Sequence, residues 1–407
     1  MIRKITTENF FSLQSEATLD LTTSAKTPTD YSFEKSSSGD QVSILAGVFG
    51  PNASGKTNLL KSLSFLNFFI RHSYKELDTT ESIPVDGFIG SDAPIKFTLE
   101  FEGQDNVYRY HLELNTEAVV IERLQRYYKQ TKSFRTVLLR KQGKKSALVS
   151  QKDGYTDASL IAELLKDRPN ASMISAGMVT GRSEFKKLDV ALGKFACNVT
   201  RGGKMDRQTG SVADQLSECA DFLHENPHFK DDIELRLKQA DLGITKFDVH
   251  EVEVMSQNKG DTKKMHFPFV THNTPNGEFT FSLLQESSGT QRLFTLLRSF
   301  LPVLTDGGIA VIDEMESDLH PHLIPLLLDL FVDRDSNPKR AQLVFTCHHV
   351  EVLNHLAKEQ IFLVEKDDDN LSTVKRLSQH KGVRRDENHF ANYNAGRYDA
   401  IPEPDLF

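Results

Sequence analysis

The chain has 407 residues, and at ~150 residues per folding unit that predicts two or three domains, or one domain with large insertions. Its 38% hydrophobic and 26% charged residues, with 23 Gly and 14 Pro, exclude a collagen-like, low-complexity or wholly disordered chain. Lys plus Arg number 49 against 57 Asp plus Glu, a net charge of -8, so any grip on nucleic acid must come from a local basic patch.

The N-terminus MIRKITTENFFS has no signal-like apolar stretch, and no apolar run approaches the ~20 residues that cross a bilayer. Cys197, Cys219 and Cys347 are far apart and lack metal-ligand spacing, which predicts reduced thiols and a cytoplasmic protein without membrane association. The apolar run from Val42 to Phe49 reads as one buried strand, followed by a Gly/Asn/Ser loop and the helical spacing of Leu59, Leu60, Leu63, Leu66 and Phe69. Period-two alternation from Ile95 to Leu114, broken at Gly103 to Asn106, predicts a β-hairpin, and Val119 to Leu124 and Thr136 to Arg140 extend it into an antiparallel sheet. Residues from about Ser159 to Lys238 carry helix-like spacing. Strand patterns return at Phe267 to Val270 and Phe279 to Leu283. The apolar strands Ile309 to Ile312, Leu343 to Phe345 and Ile361 to Val364 then alternate with helical runs such as Leu323 to Phe331. The fold class is therefore α/β, with a mostly parallel sheet covered on both faces. A core of 1–80 and 260–407, an antiparallel β lobe of 81–150 and a mainly helical insertion of 151–259 are expected.

Gly50-Pro51-Asn52-Ala53-Ser54-Gly55-Lys56-Thr57 fits G-x-x-x-x-G-K-[ST]. Backbone N–H groups of such a loop curl around phosphate, the lysine reaches the β and γ phosphates, and the threonine hydroxyl coordinates Mg²⁺. Gly50, Asn52, Ala53, Ser54, Gly55, Lys56, Thr57 and Asn58 are the expected ATP-binding residues. The strand Ile309 to Ile312 ends in Asp313 and Glu314, placing Asp313 at the sheet edge as a second Mg²⁺ residue and Glu314 where it can activate water. Ser287-Ser288-Gly289-Thr290-Gln291 opens an apolar helix and is placed to cap a phosphate, and His348 follows the strand Leu343 to Phe345.

In this order the motifs resemble an ABC-type ATPase of the SMC, RecF and OLD kind. Residues 50–57 are its Walker A and 309–314 its Walker B, Ser288 and Gly289 lie in a degenerate signature motif, and Met315 to Pro321 resembles the D-loop. His348 matches the switch histidine, so the resemblance implies Glu314, Lys56 and His348 as catalytic residues of an ATP phosphohydrolase. Where the Q-loop should enter the helical segment stands Met173-Ile174-Ser175-Ala176-Gly177, without a glutamine. The ending Asn392 to Pro402 resembles the tail of stand-alone bacterial ATPases of anti-phage and abortive-infection operons, of the RloA and AbiL type and, more distantly, of the PARIS system. The resemblance implies a head-to-tail homodimer in which Ser288 and Gly289 of one copy meet the γ-phosphate held by Lys56 of the other. It further implies a separately encoded toxin or nuclease as partner. A RecF- or SMC-like repair ATPase acting on DNA and a mainly structural ATP-bound scaffold remain as alternatives. Lys129, Lys132, Arg135, Arg140, Lys141, Lys144 and Lys145, with Arg201 to Lys204 further on, form a stretch without acids that reads either as a phosphate-backbone contact or as a solvated hairpin face.

Overall fold

Strands buried on both faces, with successive residues entering opposite cores, build the centre of the molecule. In a computed structural model, which describes all residues except 25–26, 28–31, 104–105, 143–147, 152–154, 205–210, 241, 256–261 and 401–407, a six-stranded sheet carries this pattern. Its order is Lys194–Cys197, Gly308–Ile312, Gln342–Thr346, Leu45–Phe49, Ile361–Lys366 and Ser372–Arg376. The first five strands are parallel and the last is antiparallel. Ala46, Val48, Ile309, Val311, Val344, Phe362 and Val364 enter one core. Leu45, Phe49, Ala310, Ile312, Leu343, Phe345, Ile361 and Leu363 enter the other. Period two sends neighbours to opposite faces, and since both faces are covered, the strands are apolar without interruption.

The first core packs under the helix Lys56–Arg71 and against a seven-stranded antiparallel sheet. That sheet runs Leu148–Gln151, Ser133–Lys141, Val119–Tyr128, Val107–Leu114, Ile95–Glu102, Ile2–Glu8 and Ala17–Asp20. The hairpin pairs Ile95 with Leu114, as its alternation predicts. Residues 1–80 divide between the two sheets, because the first two strands complete the antiparallel one. The expected single strand over Val42 to Phe49 is two: Gln41–Ser43 joins a small sheet and Leu45–Phe49 the parallel one, with Ile44 between them.

The second core holds the 19-residue helix Ser288–Asp306, whose Leu293, Phe294, Leu297, Phe300 and Leu304 are buried, and the helix Leu323–Val332. The stretch expected to be helical contains the helices Ala158–Leu164, Met173–Met178, Ser183–Leu192, Val212–Glu225 and Lys230–Gln239. It also contains the parallel edge strand Lys194–Cys197, paired in register with Gly308 to Val311. Beyond it, Ile244–Met255, Thr262–Thr274 and Gly277–Ser282 form a three-stranded antiparallel sheet that leads into the helix Ser288–Asp306.

Candidate functional site: a phosphate loop facing two acids

The strand Leu45–Phe49 delivers the loop, and the helix Lys56–Arg71 begins inside it. Gly50 (φ 149) and Gly55 (φ 110) both adopt positive φ, conformations that only glycine takes without strain. A Cβ on Gly55 would collide with Ser372 Oγ, and one on Gly50 with Val364 O, so the loop is pressed against the strands Ile361–Lys366 and Ser372–Arg376. The Ser372 hydroxyl donates to Ser54 O at 2.6 Å and lies 2.7 Å from Ser12 Oγ, and Asn58 Nδ2 donates to Ser12 Oγ at 2.8 Å. Ser12 thus brings the N-terminal Asn9 to Ser12 stretch against the loop.

Four groups converge on the acids at the end of the strand Gly308–Ile312. Thr57 Oγ1 donates to Asp313 Oδ2 at 2.7 Å and Thr346 Oγ1 to Asp313 Oδ1 at 2.6 Å. Asn198 grips the Asp313 backbone on both sides, its Nδ2 donating to the carbonyl at 2.9 Å and its Oδ1 accepting from the N–H at 2.7 Å. Glu314, at φ 46, is fixed by its N–H donating to Thr346 Oγ1 at 2.7 Å, and its Oε2 accepts from Lys204 Nζ at 2.7 Å. The bond from Lys204 holds the Glu314 carboxyl below the usual glutamate range, against the opposing pull of partial burial. Lys56 Nζ donates to Gly50 O and Pro51 O, both at 2.9 Å. Burial draws the Lys56 ammonium below the ordinary lysine value while Asp313, Glu316 and Glu314 pull it back up.

These residues fit ATP with Mg²⁺. Thr57 and Asp313 supply the hard oxygen donors that a small divalent cation takes. Inside the loop, Ser54 Oγ is buried and has no hydrogen-bond partner among the described residues, a donor available to a phosphate oxygen. His348 lines a cleft of ≈ 550 Å³ with Gly50, Pro51, Asn52, Tyr393 and Asn394. Its N–H donates to Glu316 Oε1 at 2.8 Å. Ser288 and Gly289 do not line that cleft. They sit at the N-terminus of their helix, where Ser287 Oγ accepts from Thr290 N at 3.2 Å, and Gly289 packs so closely on Asp318 that a Cβ would stand 2.8 Å from its carbonyl oxygen.

Several expectations change. The stretch Met173 to Gly177 is a buried helix capped by Ser172, and the chain beside the acids is instead Cys197-Asn198. Arg140, expected in a basic surface, is 1% exposed and lies 3.7 Å from the buried Glu122, its guanidinium also donating to the carbonyls of Ala171, Arg168 and Pro169. Arg201 is paired with Asp86 at 2.6 Å, and Lys204 belongs to the acid site. Lys144, Lys145, Ile401 and Pro402 lie outside the described residues. The roles of Thr346, Asn198 and Lys204 were not legible, because each reaches the acids across more than thirty positions of chain.

Residues 45–164 and 203–354 match the model of a family described as "AAA domain, putative AbiEii toxin, Type IV TA system". Among solved structures, an SMC head bound to the C-winged helix domain of ScpA is 12% identical, with 92% of this chain and 96% of that chain covered at a TM-score of 0.44. The SMC head domain from Thermotoga maritima is 11% identical, with 92% and 98% covered at a TM-score of 0.39. No protein in the curated set matches. No helix among the described residues is long and apolar enough to cross a membrane.

Proposed function

We propose, on the premise that this chain belongs to the AAA-domain family described as a putative AbiEii toxin of a type IV TA system, that it hydrolyses ATP and uses the cycle as a switch in bacterial anti-phage defence. The observation that carries the ATPase reading is the convergence of Thr57, Thr346, Lys204 and Asn198 on Asp313 and Glu314 beside the loop of Lys56. Thr57 and Asp313 would hold Mg²⁺, which offsets charge on the phosphate oxygens when bound. Lys56 and the loop N–H groups bind the β and γ phosphates. Glu314 accepts a proton from water as its oxygen bonds to the γ-phosphorus, and the bond to the bridging oxygen breaks with its electron pair leaving on ADP.

Ser288, next to Gly289, lines a different cleft from Gly50 and His348, which favours a head-to-tail homodimer whose second copy supplies Ser288 and Gly289 to the γ-phosphate. ATP then binds the closed dimer better than the open one, and hydrolysis reverses the preference. The receiver of that change in this proposal is a separately encoded effector, a toxin or nuclease; the family's description, a putative toxin of a type IV TA system, supports a role in such a system and names no partner. The test is to express the tagged chain with its neighbouring genes, as wild type and as Glu314→Gln. A neighbour-encoded protein that associates stoichiometrically and responds to ATP supports the switch. A chain that purifies alone, with turnover stimulated by DNA, contradicts it in favour of a DNA repair ATPase.

A further inference from the structure

Resting on that ATPase reading, we propose that Lys204 is a positioning residue for hydrolysis, setting the carboxylate of Glu314. Lys204 arrives by a tight route. The edge strand Lys194–Cys197 runs parallel to the strand bearing the acids, Asn198 clamps Asp313, and the chain folds into a hairpin that pairs Val199 with Lys204. After the turn at Arg201 and Gly202, Gly203 opens the return strand at φ 118, a conformation other residues adopt only under strain. Ser64 Oγ in the helix after the phosphate loop donates to Val199 O at 2.8 Å, so the hairpin is fastened to the same helix that carries Thr57.

From this frame Lys204 Nζ reaches Glu314 Oε2 at 2.7 Å and Ser317 Oγ at 2.6 Å. The Glu314 main chain is already fixed through Thr346, and Lys204 removes the remaining freedom, that of the side chain. Oε2 accepts from Lys204 and, at 3.3 Å, from Ser317 Oγ, and we assign proton transfer to Oε1. Side-chain relative exposure is 20% for Lys204 and 44% for Glu314, so as a surface ion pair it adds little stability. Its effect lies in orientation: a carboxylate free to sample other rotamers spends less time in line with a water, a geometric loss that enzymes feel strongly. Lys204 also borders the cleft that contains Ser288, Gln291 and Asp318, so movement of the signature helix has a direct route to the general base.

The experiment compares wild type, Lys204→Met, Lys204→Arg and both lysine variants combined with Glu314→Gln. It measures the affinity for Mg·ATP and single-turnover hydrolysis. Turnover in Lys204→Met should fall roughly tenfold with nucleotide affinity unchanged, and Lys204→Arg should recover much of it. In the Glu314→Gln background the lysine substitutions should add no further loss, since Lys204 acts through that residue. Turnover unchanged or raised in Lys204→Met, or an equal loss in both backgrounds, overturns the proposal while leaving the ATPase reading intact. A wild-type chain that binds Mg·ATP without turning it over overturns both.

Discussion

Thr346 offers a sharp test of how the acids are held, because one buried hydroxyl serves both. It is fully buried, donates to Asp313 Oδ1 at 2.6 Å and accepts from the Glu314 N–H at 2.7 Å. Thr346→Val keeps the shape and removes the hydroxyl. A hydrogen bond to a charged acceptor contributes ~1.5–3 kcal/mol, and an unpartnered buried N–H costs ~1–3 kcal/mol. With the two overlapping, the expected loss is about 3 kcal/mol. Thr346→Ser keeps the hydroxyl and gives up one methyl, about 1 kcal/mol. Urea unfolding should therefore place the valine variant about 2 kcal/mol below the serine variant. Mg·ATP turnover should follow the same order, with Thr346→Val slower by at least ~10-fold. Valine and serine variants within about 0.5 kcal/mol of each other, with equal turnover, would refute the claim that this hydroxyl sets the acids.

Gly55→Ala places a methyl against Ser372 Oγ at a backbone φ of 110, so nucleotide affinity measured by fluorescence titration should drop at least ~10-fold. Arg140→Leu strands the buried Glu122 carboxylate, which accepts from Tyr110, Ser172 and the Met173 N–H. Removing one partner of such a pair costs ~3–5 kcal/mol, to be read from urea unfolding. Burial raises the Glu102 carboxyl, but bonds from Ser36 and Ser37 and the charge of Arg3 outweigh it and leave it below the ordinary value of 4.5. Its stabilising effect is therefore present above pH 4.5 and lost as pH falls through the lower folded-state value. Glu102→Gln should flatten that acid limb in pH-dependent unfolding, and an unchanged limb would count against the assignment.

What could be read from the sequence was what lies within one segment. The run into Gly50 to Thr57 and the strand ending at Asp313 and Glu314 declare themselves by local pattern, and the structure brings them to one sheet edge. The hairpin over Ile95 to Leu114 was legible for the same reason. The strand Lys194–Cys197 was not, since four residues, one exposed and three half-buried, between a helix and a short hairpin carry no period. Ile244–Met255 carries no clean period two, because the alternation of Phe247 and Val249 slips at His250-Glu251 and resumes out of phase at Val252. Charges mislead most: Arg140, Arg201 and Lys204 look like one kind of basic residue in the sequence, yet their acids, Glu122, Asp86 and Glu314, lie elsewhere in the chain. A charge's partner is a tertiary fact: Lys129, Lys132, Arg135 and Lys141 are exposed as expected, whereas Arg140 is in a buried pair, Arg201 in a surface pair and Lys204 in the acid site.

The central claim is that Lys56, Thr57, Asp313 and Glu314 form one site for ATP hydrolysis. The most direct measurement is phosphate release from ATP by the purified full chain, with and without Mg²⁺, for wild type and Glu314→Gln, alongside nucleotide binding by each. The account predicts Mg²⁺-dependent turnover in wild type, and a Glu314→Gln protein that binds ATP normally and releases phosphate at least ~100-fold more slowly. Turnover that survives the substitution at the wild-type rate, or a wild-type chain that binds ATP and never cleaves it, would contradict the account.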